Sequence, residues 1–358
     1  MNTKRSKRSR GPSLAFVILA TTVVASACAT DEVERAKTPT PDYITLTYTH
    51  DVEQEGEDET RMDMELWEYD PATTEAVRRF ATEYTSQYPL GFYDKAHQVA
   101  YYTKQSEQGG DQIYRTDLQT NEETALTEPL TAVNYIYPLE DRVLFVACLK
   151  GMRNLRLGAI DKKTGDISYW EPEPDMEPGG SRHGGVEDAS IEAFTVDEAH
   201  ERIYLSVFSE GKRQHSIENQ NNQDGQNNFQ MPIHTVYETD YALQHTESLF
   251  SEPEWVRTVM ANGDHVLALS DKRYNDPTGA STLIDYDREH RSIVKTPWTA
   301  SRLQVGDANY ASDGKIIYGI AIVDDKRGLY AYDIDTASFT ARFVPEDGFV
   351  NNITVVKR

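Results

Sequence analysis

One short phrase recurs six times along the chain: an aromatic or apolar strand that ends in an aspartate, then a polar turn and a second strand. The aspartates are separated by 47, 44, 79, 47 and 46 residues, which is one period interrupted by a single large insertion. Alternating apolar residues, as in LWEYD or VYETD, indicate half-buried strands. A terminal aspartate accepts hydrogen bonds from backbone N–H groups two residues on and starts a tight turn. Each phrase is therefore predicted to be a β-hairpin with a turn-capping aspartate; the six are Asp70, Asp117, Asp161, Asp240, Asp287 and Asp333.

A second pair of strands precedes five of these hairpins. It reads, for example, PLGFYDKAHQVAYYTK from Pro89 and ANYASDGKIIYGIAIV from Ala308. Two hairpins make a four-stranded sheet of about 45 residues, which is the size of one propeller blade. A lone sheet of this size cannot bury both of its faces, whereas sheets stacked radially bury them. The sequence therefore predicts an all-β fold, a six-bladed β-propeller of four-stranded antiparallel blades.

The first blade lacks one strand in the sequence. Only one strand, Tyr43 to Tyr48, precedes the hairpin of Asp70, and the last strand of the chain, FVNNITVV from Phe349, has no hairpin after it. A ring closed with strands from both ends of the chain has no free edge at the closure. We therefore expect the C-terminal strand to supply the innermost strand of the first blade.

The N-terminal segment has the features of a targeting signal. Basic residues precede an apolar stretch, Leu14 to Val24, that is too short to span a bilayer as a free-standing helix. The small residues before Cys28 resemble a bacterial lipobox, in which the cysteine is lipidated; a plain secretory peptide and an uncleaved anchor are the alternatives. We expect a lipoprotein signal peptide over residues 1–27, lipid on Cys28, a tether over 28–41 and the propeller over 42–358. The expected location is the extracytoplasmic side of the cell membrane, in a bacterial envelope.

The charge of the chain restricts its partners. It carries 36 basic and 59 acidic residues, and removal of residues 1–27 takes away five basic and no acidic ones, which leaves a net charge of about −28. Such a chain repels nucleic acids and anionic lipid headgroups. The expected partner is an unidentified protein or small molecule, not a nucleic acid, and the chain is expected to be a monomer that contacts the membrane through its lipid.

Two insertions lie between Asp161 and Asp240, namely Glu171 to Ala189 and Gly211 to Pro232. In a blade of alternating strands, loops between blades and loops between the second and third strands emerge at the same end, so both insertions are predicted on one face. Long loops on a rigid scaffold often carry binding sites, although a neutral surface insertion is the alternative. The candidate binding residues are aromatic, basic or thioether side chains in or beside the insertions: Trp170, Arg182, His183, Phe229 and Met231. Trp170 is alternatively a core residue.

No linear catalytic or cofactor motif is present, so no cofactor is expected. His97, His200 and His265 recur at equivalent places after the inner turns, where a ring of blades holds them too far apart for a shared metal. With Cys28 lipidated, Cys148 has no disulfide partner and is expected to be a small buried residue. A central-channel metal site would need inward polar groups on several innermost strands; the visible candidates are Asn134, Tyr135, Glu192, Asn351 and Asn352.

Two segments, YDKAHQVAYYTK…GGDQIYRTDLQTNEETALT (93–127) and ASDGKIIYGIAIVDDKRGLYAYDIDT (311–336), resemble TolB-type propeller repeats. The resemblance implies a six-bladed scaffold used for protein or ligand binding outside the cytoplasm. Together these observations predict a lipid-anchored binding or sensor module. A propeller hydrolase or lyase with a divalent metal in the central channel is the alternative, and a structural surface protein is a third possibility; the sequence leaves enzymatic activity open.

Overall fold

The protein forms the predicted six-bladed β-propeller. The computed structural model describes residues 43–53, 60–171, 188–222, 231–272, 281–298, 309–310 and 316–357. Within these ranges the strands assemble into six sheets of four antiparallel strands, arranged as the blades of a ring. The TolB-type propeller architecture expected from the repeats is therefore confirmed as a fold. In the same ranges, no helix is both long and apolar enough to cross a membrane.

The first three blades contain the following strands. Blade 1 comprises β1 (Tyr43–Glu53), β2 (Thr60–Tyr69), β3 (Ala76–Glu83) and β24 (Phe349–Val356). Blade 2 comprises β4 (Gly91–Asp94), β5 (Val99–Gln105), β6 (Asp111–Asp117) and β7 (Glu123–Ala125). Blade 3 comprises β8 (Ala132–Pro138), β9 (Arg142–Cys148), β10 (Leu155–Asp161) and β11 (Ile167–Tyr169).

The other three blades complete the ring. Blade 4 comprises β12 (Ala189–Asp197), β13 (Arg202–Ser209), β14 (His234–Asp240) and β15 (Thr246–Glu252), with the helix α1 (Glu210–Asn222) between its second and third strands. Blade 5 comprises β16 (Trp255–Asn262), β17 (His265–Asp271), β18 (Ser281–Asp287) and β19 (Ser292–Trp298). Blade 6 comprises β20 (Asn309–Tyr310), β21 (Ile316–Val323), β22 (Lys326–Asp333) and β23 (Ser338–Phe343).

The ends of the folded chain meet in blade 1, as expected. β24 is the innermost strand of that blade and pairs with β1, with Tyr43 opposite Val356 and Leu46 opposite Ile353. All four of these side chains are buried. The closure is therefore both a hydrogen-bonded ladder and a part of the apolar core, which ties the last strand to the first.

The aspartates of the repeat cap turns, as predicted. The carboxylate of Asp70 accepts the backbone N–H of Ala72 at 2.7 Å, and Asp117 and Asp161 do the same two residues on at 2.8 Å. These backbone donors hold the pKa of all three carboxyl groups below its usual value, because they stabilise the charged form. The repeated carboxylates therefore have a structural role.

Aromatic pairs fill the interfaces between neighbouring blades. In five of the six interfaces, an aromatic ring at the outermost strand of one blade packs against a ring of the next blade. The first ring lies on the outermost strand or on the residue that follows it. The second ring lies on the third strand of the next blade, except in blade 2, where it lies on the second strand. Buried aromatic pairs at such distances contribute more than their apolar area alone. Going round the ring, the pairs are Phe80–Tyr102 (4.8 Å between centroids), Phe92–Tyr137 (5.4 Å), Trp170–Tyr237 (5.9 Å), Phe250–Tyr286 (5.6 Å), Trp298–Tyr332 (4.7 Å) and Phe343–Trp67 (5.2 Å); Phe92 and Tyr137 both lie on innermost strands.

Candidate functional site

Both insertions of the repeat emerge at one end of blade 4. Ala189, at the end of the first insertion, pairs with Ser209, which precedes the second. Thr235, which follows the second insertion, pairs with Val207 near the same end of β13. The loops between blades emerge at this end as well, because the strands of a blade alternate in direction. We call this end of the propeller the insertion face, and the opposite end, which carries the aspartate turns, the turn face.

The second insertion begins with the helix α1, which the sequence analysis did not predict. Asp188, near the end of the first insertion, accepts hydrogen bonds from the Ser209 hydroxyl and from the backbone N–H of Gly211. A carboxylate at this point satisfies an N–H group that the first helical turn leaves free, and it offsets the positive end of the helix dipole. The end of the first insertion therefore holds the start of the second.

Side chains of its first turn hold α1 on the blade. Glu210 accepts two hydrogen bonds of 2.9 Å from the Arg213 guanidinium and one of 2.7 Å from the Gln214 amide. The same guanidinium lies 5.4 Å from the centroid of the Phe208 ring, at the end of β13. A bidentate carboxylate pair and a cation–π contact together fix a planar guanidinium. The helix is thus fixed to β13 on the insertion face.

Four innermost strands carry a β-bulge close to the insertion face. A bulge leaves one extra residue outside the ladder and redirects its side chain. Each extra residue is the third or fourth of its strand, so within the described ranges four blades place a polar residue at a similar depth near the insertion-face end of the ring. We call these residues the mouth residues: Asn134, Glu192, Arg257 and Asn351.

Glu192 carries the one carboxyl group among the four mouth residues. It is half-buried, and burial raises its pKa to about 7. The nearby carboxylate of Glu210 adds to the increase, whereas a hydrogen bond with Trp255 and the charge of Arg213 oppose it. A carboxyl group with a pKa near 7 is half protonated at neutral pH, so it both donates and accepts hydrogen bonds in that range.

His234, the first residue of β14, is a neutral imidazole. It is buried, its ring stacks on Phe208 at 5.0 Å, and its Nδ1 lies 3.1 Å from the Ser206 hydroxyl. Burial lowers the pKa of His234 to about 3, and the charge of Arg213 contributes to the decrease. The ring is therefore uncharged at physiological pH and acts as packing below α1.

Arg257 is paired rather than free. Its Nε lies 2.6 Å from the Asp271 carboxylate on the neighbouring strand, and both side chains are about nine-tenths buried. Burial lowers the pKa of Arg257, and the Asp271 charge opposes the decrease. Removing one member of such a pair leaves an uncompensated charge, so the pair is poorly suited to substitution experiments.

Below the mouth the channel is narrow and uncharged. A cavity of about 30 Å³ opens there, enough for a few water molecules. Hydroxyl and amide groups line it together with apolar side chains, and none of the described lining residues is acidic, histidine or cysteine. The polar members of the lining are Tyr135, Tyr137, Thr195, Thr258, Asn352 and Thr354. The described lining of this cavity therefore offers neutral hydroxyl and amide groups and no charged side chain.

The structure describes two of the candidate binding residues. Trp170 is only 2% exposed, donates from Nε1 to the Thr246 hydroxyl at 3.0 Å and packs on Tyr237 between blades 3 and 4. It is therefore a core residue, the alternative left open for it, and it contributes nothing to a surface. Met231 is half-buried just before β14, on the insertion face. The remaining positions with an assigned role, Cys28, Arg182, His183 and Phe229, lie outside the described residues.

The inner-turn histidines are held individually. His97 and His200 each place Nδ1 at 2.8 Å from an aspartate three residues back, whereas His265 contacts Asp285 on the neighbouring strand at 2.7 Å. Across the described ranges, no group of three or more histidine, cysteine or acidic side chains has the spacing of a metal site.

Exposed large apolar side chains concentrate on the insertion face. Of nine such residues in the described ranges, three lie on outermost strands, namely Val77, Ile293 and Val294. The other six occur at strand ends, in loops or in α1 on the insertion face: Met62, Tyr88, Met152, Ile217, Ile233 and Phe349. Single exposed apolar residues are normal on a protein surface, but their concentration on one face indicates a contact surface.

The sequence contains a signal for the mouth that the sequence analysis did not use. In all four strands, a valine or isoleucine immediately precedes the bulged polar residue: Val133-Asn134, Ile191-Glu192, Val256-Arg257 and Val350-Asn351. Arg257 was missed because the innermost strands were not aligned with one another. Phe349 was considered only as part of the closing strand. Alignment of the innermost strands with one another identifies the pattern.

Comparison with known proteins supports the fold. No protein-family profile matches the chain, and no curated protein matches it. Similar solved structures include a nidogen/laminin complex, with a TM-score of 0.52 at 10% identity over 88% of this chain and 99% of that chain. TolB from Acinetobacter baumannii has a TM-score of 0.51 at 12% identity over 86% of this chain and 65% of that chain. An oligogalacturonate lyase in complex with manganese has a TM-score of 0.47 at 15% identity over 80% and 74% of the two chains.

These likenesses concern architecture. At identities of 10–12%, the first two likenesses are evidence of a propeller fold and do not transfer activity or partners. The chain spans less than two thirds of the TolB chain that it matches. The similarity to the lyase is too weak to support an argument about enzymatic activity.

Proposed function

We propose that this protein is a lipid-anchored binding module of the bacterial envelope that recognises a protein or ligand on its insertion face. The observation that carries the proposal is the distribution of exposed apolar side chains, six of nine of which lie on that face in the described ranges. Binding surfaces combine apolar anchors with a polar surround. The mouth residues supply the polar part at the centre of the same face.

The point at which the chain enters the propeller is consistent with this arrangement. Tyr43, the first residue of β1, is at the turn-face end, because β1 pairs antiparallel with β24 and Tyr43 lies opposite Val356 at the end of that strand. A tether that precedes Tyr43 therefore reaches the propeller at the turn face. The insertion face is thus the end opposite the one at which β1 begins.

The chemistry of the mouth favours a ligand with both donors and acceptors. Asn134 provides an exposed amide, and Asn351 provides an amide oxygen, since its amide nitrogen donates to Thr49 and Phe349. Glu192, with a pKa near 7, provides a carboxyl group in two protonation states. The charge of Arg257 is largely engaged by Asp271. Such a set suits polar segments of peptides or glycans better than a strongly charged small molecule.

The enzymatic alternative stays a separate prediction. A hydrolase or lyase with a channel metal needs several oxygen or nitrogen ligands that converge near the axis. The described channel lining consists of neutral hydroxyl, amide and apolar groups. A thermal-shift series with Ca²⁺ and Zn²⁺ tests this alternative directly, and strong metal-dependent stabilisation supports it.

A thermal-shift screen against peptides and oligosaccharides tests the binding proposal. A ligand in excess over its Kd by about a hundredfold stabilises the folded state by about 2.7 kcal/mol, which is readily measured. Asn134→Ala, at an exposed mouth position, and Met152→Ala, on the insertion face, are the test variants. Ile293→Ala, an exposed apolar residue on an outermost strand, is the matched control.

The proposal predicts ligands whose stabilisation falls in at least one test variant and persists in the control. Ligands whose effect is lost in the Ile293→Ala control and kept in both test variants contradict it. Anchoring is tested independently with Cys28→Ser, which is expected to release the protein from membranes of a bacterial host.

A further inference from the structure

Among the described residues, the most exposed aromatic side chain on the insertion face is Phe349. It is 58% exposed and is the first residue of β24, the strand that closes the ring. Three exposed acidic residues accompany it: Glu346 and Asp347 lie three and two positions before it, and Asp325 lies in the β21–β22 turn of blade 6. The guanidinium of Arg327, two residues after Asp325, donates to the Val350 carbonyl at 2.9 Å, which ties that hairpin to the start of β24. We call Phe349, Asp325, Glu346 and Asp347 the Phe349 patch.

The backbone of the Phe349 patch is held on both sides. The Tyr48 hydroxyl donates to the carbonyl of Asp347, and the Asn351 amide donates to the carbonyl of Phe349 at 3.1 Å. Gly348 adopts a φ of 72°, and a Cβ there would lie only 2.2 Å from the Thr49 carbonyl oxygen. The Phe349 ring is therefore presented to solvent on a fixed main chain. Binding to such a ring loses little conformational entropy, because the backbone is already ordered.

A second aromatic ring is presented in the same way. Tyr88 lies between blades 1 and 2 on the insertion face and is 51% exposed. Its carbonyl oxygen accepts hydrogen bonds from the Ser86 hydroxyl at 2.8 Å and from the Thr103 hydroxyl at 2.9 Å. The backbone is fixed here as well, while the ring is left uncovered. Exposed, preorganised aromatic residues are typical of the few positions that dominate binding energy in protein interfaces.

The charge around Phe349 selects among partners. The patch carries three carboxylates, and Asp324 adds a fourth in the same turn, whereas Lys326 and Arg327 are the cations beside it. Negative charge therefore prevails locally, as it does in the whole chain. A cationic side chain is attracted both to carboxylates and to the face of an aromatic ring. Acidic or neutral segments gain neither contact.

We infer that the Phe349 patch, with Tyr88 as a second anchor, docks a basic and apolar segment of a partner protein. The inference rests on the proposed function and adds to it the chemistry of the partner. Arginine or lysine side chains of the segment pack on the Phe349 ring between the carboxylates, and its apolar side chains cover the exposed rings. Electrostatic attraction of this kind also accelerates association at low ionic strength.

Three short synthetic peptides test the inference by fluorescence anisotropy with the folded chain. One alternates arginine and leucine, the second replaces each arginine by glutamate, and the third replaces each leucine by serine. The test variants are Phe349→Ala and the double variant Glu346→Gln with Asp347→Asn. Their matched controls are Val294→Ala, which is also 58% exposed but lies on an outermost strand, and Glu289→Gln, an exposed acid of the turn face.

The arginine–leucine peptide is expected to bind more tightly than the other two, and to weaken as salt screens the charges. Its affinity is expected to fall by about tenfold or more in Phe349→Ala and to fall clearly in the double variant, with little change in either control. Absence of binding at low salt, or equal losses in test variants and controls, overturns the inference. Binding that is lost in Met152→Ala but not in Phe349→Ala also overturns it, while leaving the insertion face as the binding surface. A preference for the acidic peptide excludes the basic partner.

Discussion

The raised pKa of Glu192 makes the stability of the propeller depend on pH in a predictable direction. The pKa rises from 4.5 to about 7 in the folded state. A difference of one pKa unit corresponds to about 1.4 kcal/mol. Because the side chain retains some contact with solvent, we expect ionisation of Glu192 to cost the folded state about 2–3 kcal/mol.

The direction in which stability changes with pH follows from proton binding. Between pH 4.5 and 7 the folded state holds more protons at Glu192 than the unfolded state does, so this residue lowers the free energy of unfolding as the pH rises through that interval. His234 acts in the opposite direction, because its lowered pKa makes folding less favourable as the pH falls below 6.5. The pH profile of the wild type alone therefore combines the two effects.

Glu192→Gln separates them. Glutamine retains an oxygen that accepts a hydrogen bond from Trp255 and does not titrate, while His234 is the same in both proteins. Urea unfolding at a series of fixed pH values is expected to give equal stabilities near pH 4.5 and a variant more stable by about 2–3 kcal/mol at pH 8. Glu218→Gln, at an exposed position of α1, is the control and is expected to show no such difference. A stability difference that does not change with pH refutes the reasoning.

Three further predictions concern the ring and its anchor. Ile353→Ala, opposite Leu46 in the closing strand, is expected to lower the free energy of unfolding by about 2–5 kcal/mol, because it opens a cavity where the ends of the chain are joined. Denaturant unfolding measures this loss. The control Val294→Ala, at an exposed position, is expected to lower the free energy of unfolding by less than about 0.5 kcal/mol. Equal losses in the two variants would contradict a stabilising role of the closing strand. Trp170→Ala is expected to cost about 3–5 kcal/mol by the same assay, and a near-neutral result would return Trp170 to the surface candidates. Cys28→Ser is expected to move the protein from the membrane to the soluble fraction, as measured by fractionation; retention at the membrane would argue for an uncleaved anchor.

The sequence indicated only part of the candidate site. Asn134, Glu192 and Asn351 were among the candidates for inward polar groups because they are polar residues of innermost strands, and the structure places all three at bulges of those strands. The raised pKa of Glu192 could not be predicted from the sequence, because it depends on burial and on neighbours from α1 and β16. Bulges form where the partner strand leaves a residue unpaired, and that register is set by pairing across the sheet.

The helix α1 was missed because its stability is not local. Its sequence is rich in Asn and Gln and has no apolar stripe, so its own residues favour a loop. The carboxylate of Asp188 supports its first turn from more than twenty positions upstream, and Arg213 packs on Phe208 of the preceding strand. Contacts of this kind are made only when the blade has folded.

The sequence by itself determined the repeat, the number of blades, the capping aspartates and the joining of the two ends of the chain. These features follow from the spacing of apolar and turn residues, which acts within a few positions and recurs in every blade. Only the tertiary structure decided that Trp170 lies between blades while Phe349 faces solvent. Both are aromatic residues at a strand end, and their exposure depends on whether the next blade brings a ring such as Tyr237 against them. That is a property of how the sheets stack around the ring, which the residues of one strand do not encode.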